Sequence, residues 1–182
     1  NVFDDPLSVN GLSDIAMHFI AGVLEHATAI TAITNPTVNS YKRLVPGYEA
    51  PVYITWSPKN RSPLIRIPAR RGIGTRMEMR NPDPTCNPYL ALAVILRTGL
   101  EGIKNQAICP PSVDQNIYNM DVYARQETGI RTLPGSLWEA LKELKNDKIV
   151  QAALGPHIYS RYMYAKHMEW DNYRTRVHQW EI

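Results

Sequence analysis

The apolar positions of the chain change period several times, and each change marks an element. Behind Ser13, a favourable N-cap, Ile15, Ala16, Phe19, Ile20, Val23, Leu24, Ala27 and Ile30 recur every three or four residues and predict one buried-face helix over about 14–32. From Asn35 to Pro51 the periodicity stops. Seventeen residues rich in Pro, Asn, Gly and Ser are longer than a plain connector needs, which predicts a functional loop. Three strand-like runs follow, Val52 to Trp56, Leu64 to Ile67 and Thr75 to Arg80, joined by Ser57-Pro58-Lys59-Asn60 and by a basic loop from Pro68 to Gly74.

Beyond them the pattern is helical. Asn87-Pro88 reads as cap and first helical residue of a helix through Leu90, Leu92, Ile95, Leu96 and Leu100 to about Lys104. Ser136 and Glu139 form a capping-box pattern for a helix to Leu144, and Asp147 opens a short one that ends at Gly155. From Pro156 onward Tyr159, Met163, Trp170, Tyr173, Val177 and Trp180 keep an amphipathic rhythm over more than six turns, an aromatic stripe suited to core or subunit packing. His18 and His26 lie on similar sides of the first helix with no third ligand spaced to join them, so they read as satisfied histidines.

Composition adds bounds. At 182 residues, 44% hydrophobic and 20% charged, the chain is long enough to bury one substantial core. No apolar run approaches a membrane span, so no membrane partner is expected. Cys86 and Cys109, with no Cys-x-x-Cys pair, suit a reducing cytoplasm. Net charge is +3, yet Lys59 to Arg80 holds seven Lys or Arg and one Glu, a local +6, which leaves −3 for the rest. A basic block in a mildly acidic chain points to a locally bound anion. Aromatic residues are not interleaved with these arginines as single-strand binders require, so no nucleic-acid partner is expected.

Within that block, Arg76-Met77-Glu78-Met79-Arg80 alternates, which turns Arg76, Glu78 and Arg80 to one face of a strand and both methionines to the other. If the strands pair antiparallel and Arg66 projects to the same side, Arg61, Arg66, Arg76, Glu78 and Arg80 share one sheet face, with Arg43 and Glu49 on the long loop. Guanidinium forks converge best where an anion compensates them, and they fit carboxylate and phosphate bidentately. A single Glu among them stays ionised and is where Mg²⁺ would be held.

The chain resembles the C-terminal part of the catalytic domain of type I glutamine synthetase. The resemblance is carried by the whole stretch from Asn35-Pro36-Thr37-Val38-Asn39-Ser40-Tyr41-Lys42-Arg43 to Pro46-Gly47-Tyr48-Glu49-Ala50-Pro51. It continues through Asn60-Arg61-Ser62, Ile65-Arg66-Ile67-Pro68, Glu78-Met79-Arg80, Pro82-Asp83-Pro84 and Asn87-Pro88-Tyr89-Leu90-Ala91. It implies an α+β fold: a fragment of an open antiparallel β/α barrel-like catalytic domain, with sheet and site over 35–84 and a helical region over 87–182. The function implied is an ATP-dependent ligase that makes glutamine from glutamate and ammonia through γ-glutamyl phosphate. A γ-glutamyl-amine ligase is the alternative in the same superfamily.

By the same resemblance Arg43 and Arg80 would hold glutamate, with Arg80 at the γ-carboxylate. Arg61 would contact the transferring phosphoryl group and glutamate, and Arg66 and Arg76 the nucleotide phosphates. Glu78 would be a ligand of Mg²⁺ or Mn²⁺. Glu49, on a loop closing over glutamate, would help bind ammonium and take its proton. Most metal-binding carboxylates of the family precede the matching segment, so the chain is expected to be a fragment, inactive alone, of a homo-oligomer that is typically a dodecamer. Tyr118 falls at a position adenylylated in some members and is expected to play a packing or surface role here, and the loop 68–74 departs from the better-known bacterial pattern.

Overall fold

Ser13 opens the first helix as its position predicts: its hydroxyl accepts the N–H of Ala16 in the computed structural model, which describes residues 1–48, 50–115, 117–120 and 129–182. The helix does not run on to residue 32. Helix α1 (Asp14–Glu25) ends at His26, and α2 (Ala27–Thr34) leaves at 74° to it. The apolar period runs through the bend because α2 is buried almost all round, at Ala27, Ala29, Ile30, Thr31, Ala32, Ile33 and Thr34. No single helix among the described residues is long and apolar enough to cross a membrane; α1 and α2 pass only as a bent pair, and both sit largely in the core. A single turn of helix, α3 (Ser40–Arg43), lies inside the long loop.

Three short strands follow, β1 (Tyr53–Ser57), β2 (Pro63–Arg66) and β3 (Glu78–Met79), in the order β1-β2-β3. The β2–β3 pair is antiparallel with Arg66 opposite Glu78, as expected, but β1 and β2 run parallel. The turn between them is tied to a distant segment: Asn60 Nδ2 donates to the carbonyls of Val113 and Gln115 at 2.8 Å each, so the chain arches over instead of closing a hairpin. The third strand is also shorter than Thr75 to Arg80. Thr75 is drawn to the N-terminal segment, its hydroxyl 2.5 Å from Asp4 Oδ1 and its carbonyl accepting from Asn1 Nδ2 at 2.6 Å.

Asn87 caps α4 (Pro88–Lys104) by accepting the N–H groups of Tyr89 and Leu90. Helix α4 crosses α1 with backbone against backbone. A Cβ on Gly22 would lie 2.3 Å from the Thr98 carbonyl oxygen and one on Gly102 2.2 Å from that of His18, so only hydrogen fits at the crossing. Ser136 caps α5 (Leu137–Asn146), although the Glu139 carboxylate reaches the N–H of Gly135 and not that of the cap residue. Asp147 caps α6 (Lys148–Arg174), whose helical geometry breaks at Gly155 (φ 71, ψ 162), where the sequence places the end of a short helix. The last helix stops at Arg174, before Val177, so the rhythm outlasts the helix.

The core joins both halves. Trp56, Leu64, Ile65 and Ile67 of the sheet region, Ile20, Val23, Ile30 and Ile33 of α1 and α2, and Leu137, Leu141 and Leu144 of α5 are all fully buried. The architecture is α+β, a small mixed sheet with its helices packed around it. That sheet leaves one charged face, formed by β2, β3 and the turns beside them.

Candidate active site

Because Arg66 and Glu78 are cross-strand partners, their side chains stand on the same face, and alternation adds Arg76 and Arg80 to it. The geometry follows that rule. Glu78 Oε2 accepts from Arg66 Nη1 at 3.3 Å, while Oε1 accepts from Arg76 Nη2 at 2.7 Å and Nε at 3.0 Å. One carboxylate therefore sits between two guanidiniums, all three partly exposed at 32–52% of their side chains. At that exposure the ion pairs contribute little stability, so the cluster is not explained as a stabilising device.

Arg80 lies deeper. Its guanidinium donates to the carbonyl of Arg61 and, at 3.5 Å, to that of Pro63, which ties the third strand to the turn that carries Arg61. Burial lowers its pKa from the ordinary arginine value, and the charges of Arg66 and Arg61 act in the same direction, partly countered by Tyr118 and Glu78. The bond to the Arg61 carbonyl sets Arg80 beside that turn, just past the strand that pairs with Arg66. Arg61 itself is exposed, on a turn built by its neighbours: Asn60 Oδ1 accepts from the Ser62 N–H at 2.7 Å and hydroxyl at 2.8 Å.

Arg43 reaches the same region from α3. Its Nη1 donates to the Asn81 carbonyl at 2.7 Å and its Nη2 to that of Arg80 at 3.4 Å. The loop beyond it is held near this face by Tyr118, whose hydroxyl donates to the Tyr48 carbonyl at 3.3 Å and whose ring stands 5.7 Å from that of Tyr53. Glu49, the next residue of the loop, lies outside the described residues.

Two parts of the basic block go elsewhere. Arg71 donates to the carbonyls of Asn10 at 3.0 Å and Pro68, and the Gly72 N–H donates to Asp4 at 2.8 Å, so this loop is docked on the N-terminal segment. Lys59 pairs with Asp114 at 3.1 Å. The sequence reading also missed a buried hub. Asn81 and Asn35 are fully buried; Asn81 Nδ2 donates to Thr34 Oγ1 at 3.0 Å and Asn35 Oδ1 at 2.9 Å, and Asn35 Nδ2 returns a bond to the Asn81 carbonyl at 2.8 Å. This hub fixes the backbone from which Arg43 is held and Arg80 projects. The signal that could have found it is that both asparagines precede a proline.

The face carries several cationic forks and one acid, which suits a multiply anionic ligand. It does not by itself hold a divalent cation. Among the described residues no three His, Cys, Asp or Glu side chains gather, and both oxygens of Glu78 are already engaged by arginine. A hard divalent ion takes about six oxygen ligands. A cavity of about 890 Å³ lies away from this face, against Leu24, Ile54, Ile108 and Val113, and contains none of Arg43, Arg61, Arg66, Arg76, Glu78 or Arg80.

Comparison with known proteins gives consistent answers. The family described as "Glutamine synthetase, catalytic domain" matches residues 1–182. Among curated proteins the chain is similar to the glutamine synthetases of Thermus thermophilus (57% identical over 182 residues), Methanosarcina mazei (58% over 182) and Staphylococcus aureus (54% over 181). Each match covers 100% of the chain and 41% of the relative's length. Among solved structures, one described as "Apo GmaS without ligand" superposes with a TM-score of 0.85 at 35% identity over 100% of this chain and 40% of that one. Another, "GmaS/ADP complex-Conformation 1", gives 0.87 at 34% over 100% and 41%.

Proposed function

Since the chain belongs to the glutamine synthetase catalytic-domain family, we propose that it supplies the arginine-lined wall of an active site that joins glutamate to ammonia at the expense of ATP. The observation that carries this reading is Glu78 set between Arg66 and Arg76, with Arg80 tied to the neighbouring turn that carries Arg61 and Arg43 held at the same edge through the Asn81 carbonyl.

Each residue has a physical task. Arg80 and Arg43 bind the glutamate carboxylates, Arg80 taking the γ-carboxylate that is phosphorylated. The partial burial of Arg80 strengthens its pairing, because a partly desolvated guanidinium attracts an anion more strongly than one in open water. Arg61, exposed on its turn, neutralises charge on the phosphoryl group in transfer, and Arg66 and Arg76 hold the nucleotide phosphates. Preorganised cations act where charge develops, at no reorganisation cost during the step. Glu49, on the loop anchored by Tyr118, binds ammonium and accepts its proton, and loop closure keeps water from the acyl phosphate. Glu78 offers one carboxylate donor. The described residues do not complete a cation site, so no step of this account passes through the metal.

Homo-oligomerisation is part of the proposal, and the outward row of Tyr89, Leu92, Leu96 and Leu100 on α4, each at least 49% exposed, is the apolar surface available to it. The free Cys86 and Cys109 suit a reducing compartment such as the cytoplasm.

The test is a chimera in which residues 1–182 replace the matching segment of the Thermus thermophilus glutamine synthetase, given ATP, glutamate, Mg²⁺ and an amine. Faster turnover with ammonium than with methylamine or putrescine supports the reading. Preference for an organic amine moves the chain to γ-glutamyl-amine ligation, the second outcome the family allows. Failure of every amine in a folded chimera overturns both.

A further inference from the structure

Trp138, near the start of α5, and Trp170, in the last turns of α6, hold their indole rings within 13° of parallel with centroids 6.5 Å apart. Aromatic pairs in contact span about 4.5–7 Å between centroids, so this pair stands at the far end of that range. The two indoles thus meet at the loose end of aromatic contact.

A cleft of about 370 Å³ is lined by Trp138, Trp170, Asp171 and Arg174. Its walls are aromatic and its rim is charged: Arg174 Nε lies 2.7 Å from Asp171 Oδ1, with both side chains more than half exposed. An ion pair that open to water contributes little, so Arg174 is readily redirected to another carboxylate. The Lys142 ammonium, 5.1 Å from the Trp138 ring centroid, makes the surroundings net positive, and the His167 ring stands edge-on to Trp138 at 5.7 Å. Trp138 remains 37% exposed, so part of its indole stays open to the cleft.

We propose that Trp138 and Trp170 form a binding site for a planar aromatic carboxylate. The ring lies in the cleft against the indoles, and its carboxylate takes the Arg174 fork in place of Asp171, with Lys142 adding attraction. None of Arg43, Arg61, Arg66, Arg76, Glu78 or Arg80 lines the cleft, so the site stands apart from the proposed catalytic face and does not depend on that reading.

The chain itself is the test object. Its four tryptophans are labelled as 5-fluorotryptophan, the fluorine signals are assigned with W138F and W170F, and 2-naphthoate is titrated in. Two signals, those of Trp138 and Trp170, are expected to shift at millimolar ligand or below. Cyclohexanecarboxylate, with the same charge and no flat ring, shifts neither. W138L weakens naphthoate binding about tenfold through the lost stacking face, and R174Q weakens it about threefold through the lost charged hydrogen bonds. Shifts confined to other tryptophans, no shift at millimolar naphthoate, or equal response to the saturated ring would overturn the proposal. Should W138L fail to fold, the signals of the unsubstituted chain and the R174Q comparison still decide it.

Discussion

Replacing His26 with Gln separates charge from geometry at the bend between α1 and α2. His26 Nδ1 lies 2.6 Å from Asp147 Oδ2, each side chain only 14% exposed, while the other Asp147 oxygen accepts the N–H groups of Ile149 and Val150 at 3.0 Å each. The hydrogen bond to Asp147 raises the His26 pKa above 6.5 against the opposing effect of burial, and Glu25 and Glu101 add to the rise. Burial pushes Asp147 up, but His26 and the two backbone N–H groups outweigh it and leave the pKa below 3.8. The sign follows for each group. The stabilisation from His26 is complete below 6.5 and is lost as pH rises through the raised folded value; that from Asp147 is complete above 3.8 and is lost as pH falls through its lowered one. Both act between those limits. A hydrogen bond with a charged partner contributes about 1.5–3 kcal/mol and a neutral one about 0.5–1.5, so H26Q should cost about 1–1.5 kcal/mol at about pH 5.5 and close to nothing at about pH 9. Urea unfolding followed by far-UV circular dichroism at the two pH values measures it. D147N, which keeps a capping side chain, should match H26Q in its pH dependence, and D147A should cost about 1 kcal/mol more at both pH values through the lost cap. An H26Q penalty of equal size at both pH values would refute the argument.

The close packing and the buried amides set further expected outcomes. G22A should destabilise by about 1–3 kcal/mol, since its Cβ meets the Thr98 carbonyl oxygen at 2.3 Å, whereas G135A, whose Cβ meets nothing closer than 3.6 Å, should stay within about 0.5 kcal/mol in the same thermal melts. N81A removes the bonds to Thr34 and Asn35 and should cost about 1–3 kcal/mol in urea titration, because Asn35 is left buried with a lost partner. In the chimera described above, R80K should lower kcat/KM for glutamate by about a hundredfold, the size seen when one preorganised donor to developing charge is lost, with unchanged melting as the control. Residues 1–182 alone should form no glutamine from ATP, glutamate, ammonium and Mg²⁺; turnover by the purified chain would show that the cation site is complete without further ligands.

Elements defined by local chemistry were legible in the sequence. Ser13, Asn87, Ser136 and Asp147 each cap the helix they were expected to cap, since a short polar side chain meets backbone N–H groups two or three residues ahead whatever the tertiary context. The break at Gly155 was legible for the same reason, its φ of 71° lying where glycine alone is at ease. The bend at His26 was hidden, because its cause is a contact 121 positions away and the apolar period crosses it unchanged. Strand alternation tells which residues share a face, so Arg66, Glu78 and Arg76 could be grouped, but it carries no direction, and the parallel β1–β2 pair went unseen. The Asn35–Asn81 hub joins residues 46 apart and has no periodic signature. The basic block as a whole points to a bound anion, but charge alone does not show that the Arg71 guanidinium is spent on backbone carbonyls.

Gly155 also sets a lever. The helical stretch from Pro156 to Arg174 extends roughly 28 Å at 1.5 Å per residue, and Trp170 stands about 21 Å along it. Rotation of only about 3° at that one pivot would carry the Trp170 indole by about 1 Å, and it is opposed by Tyr162, whose hydroxyl donates to the Ala32 carbonyl at 2.6 Å, and by the buried Met163. Tyr162 and Met163 thus act as stays for the far end of this arm, and loosening the Tyr162 bond should shift the Trp170 indole before it disturbs the core.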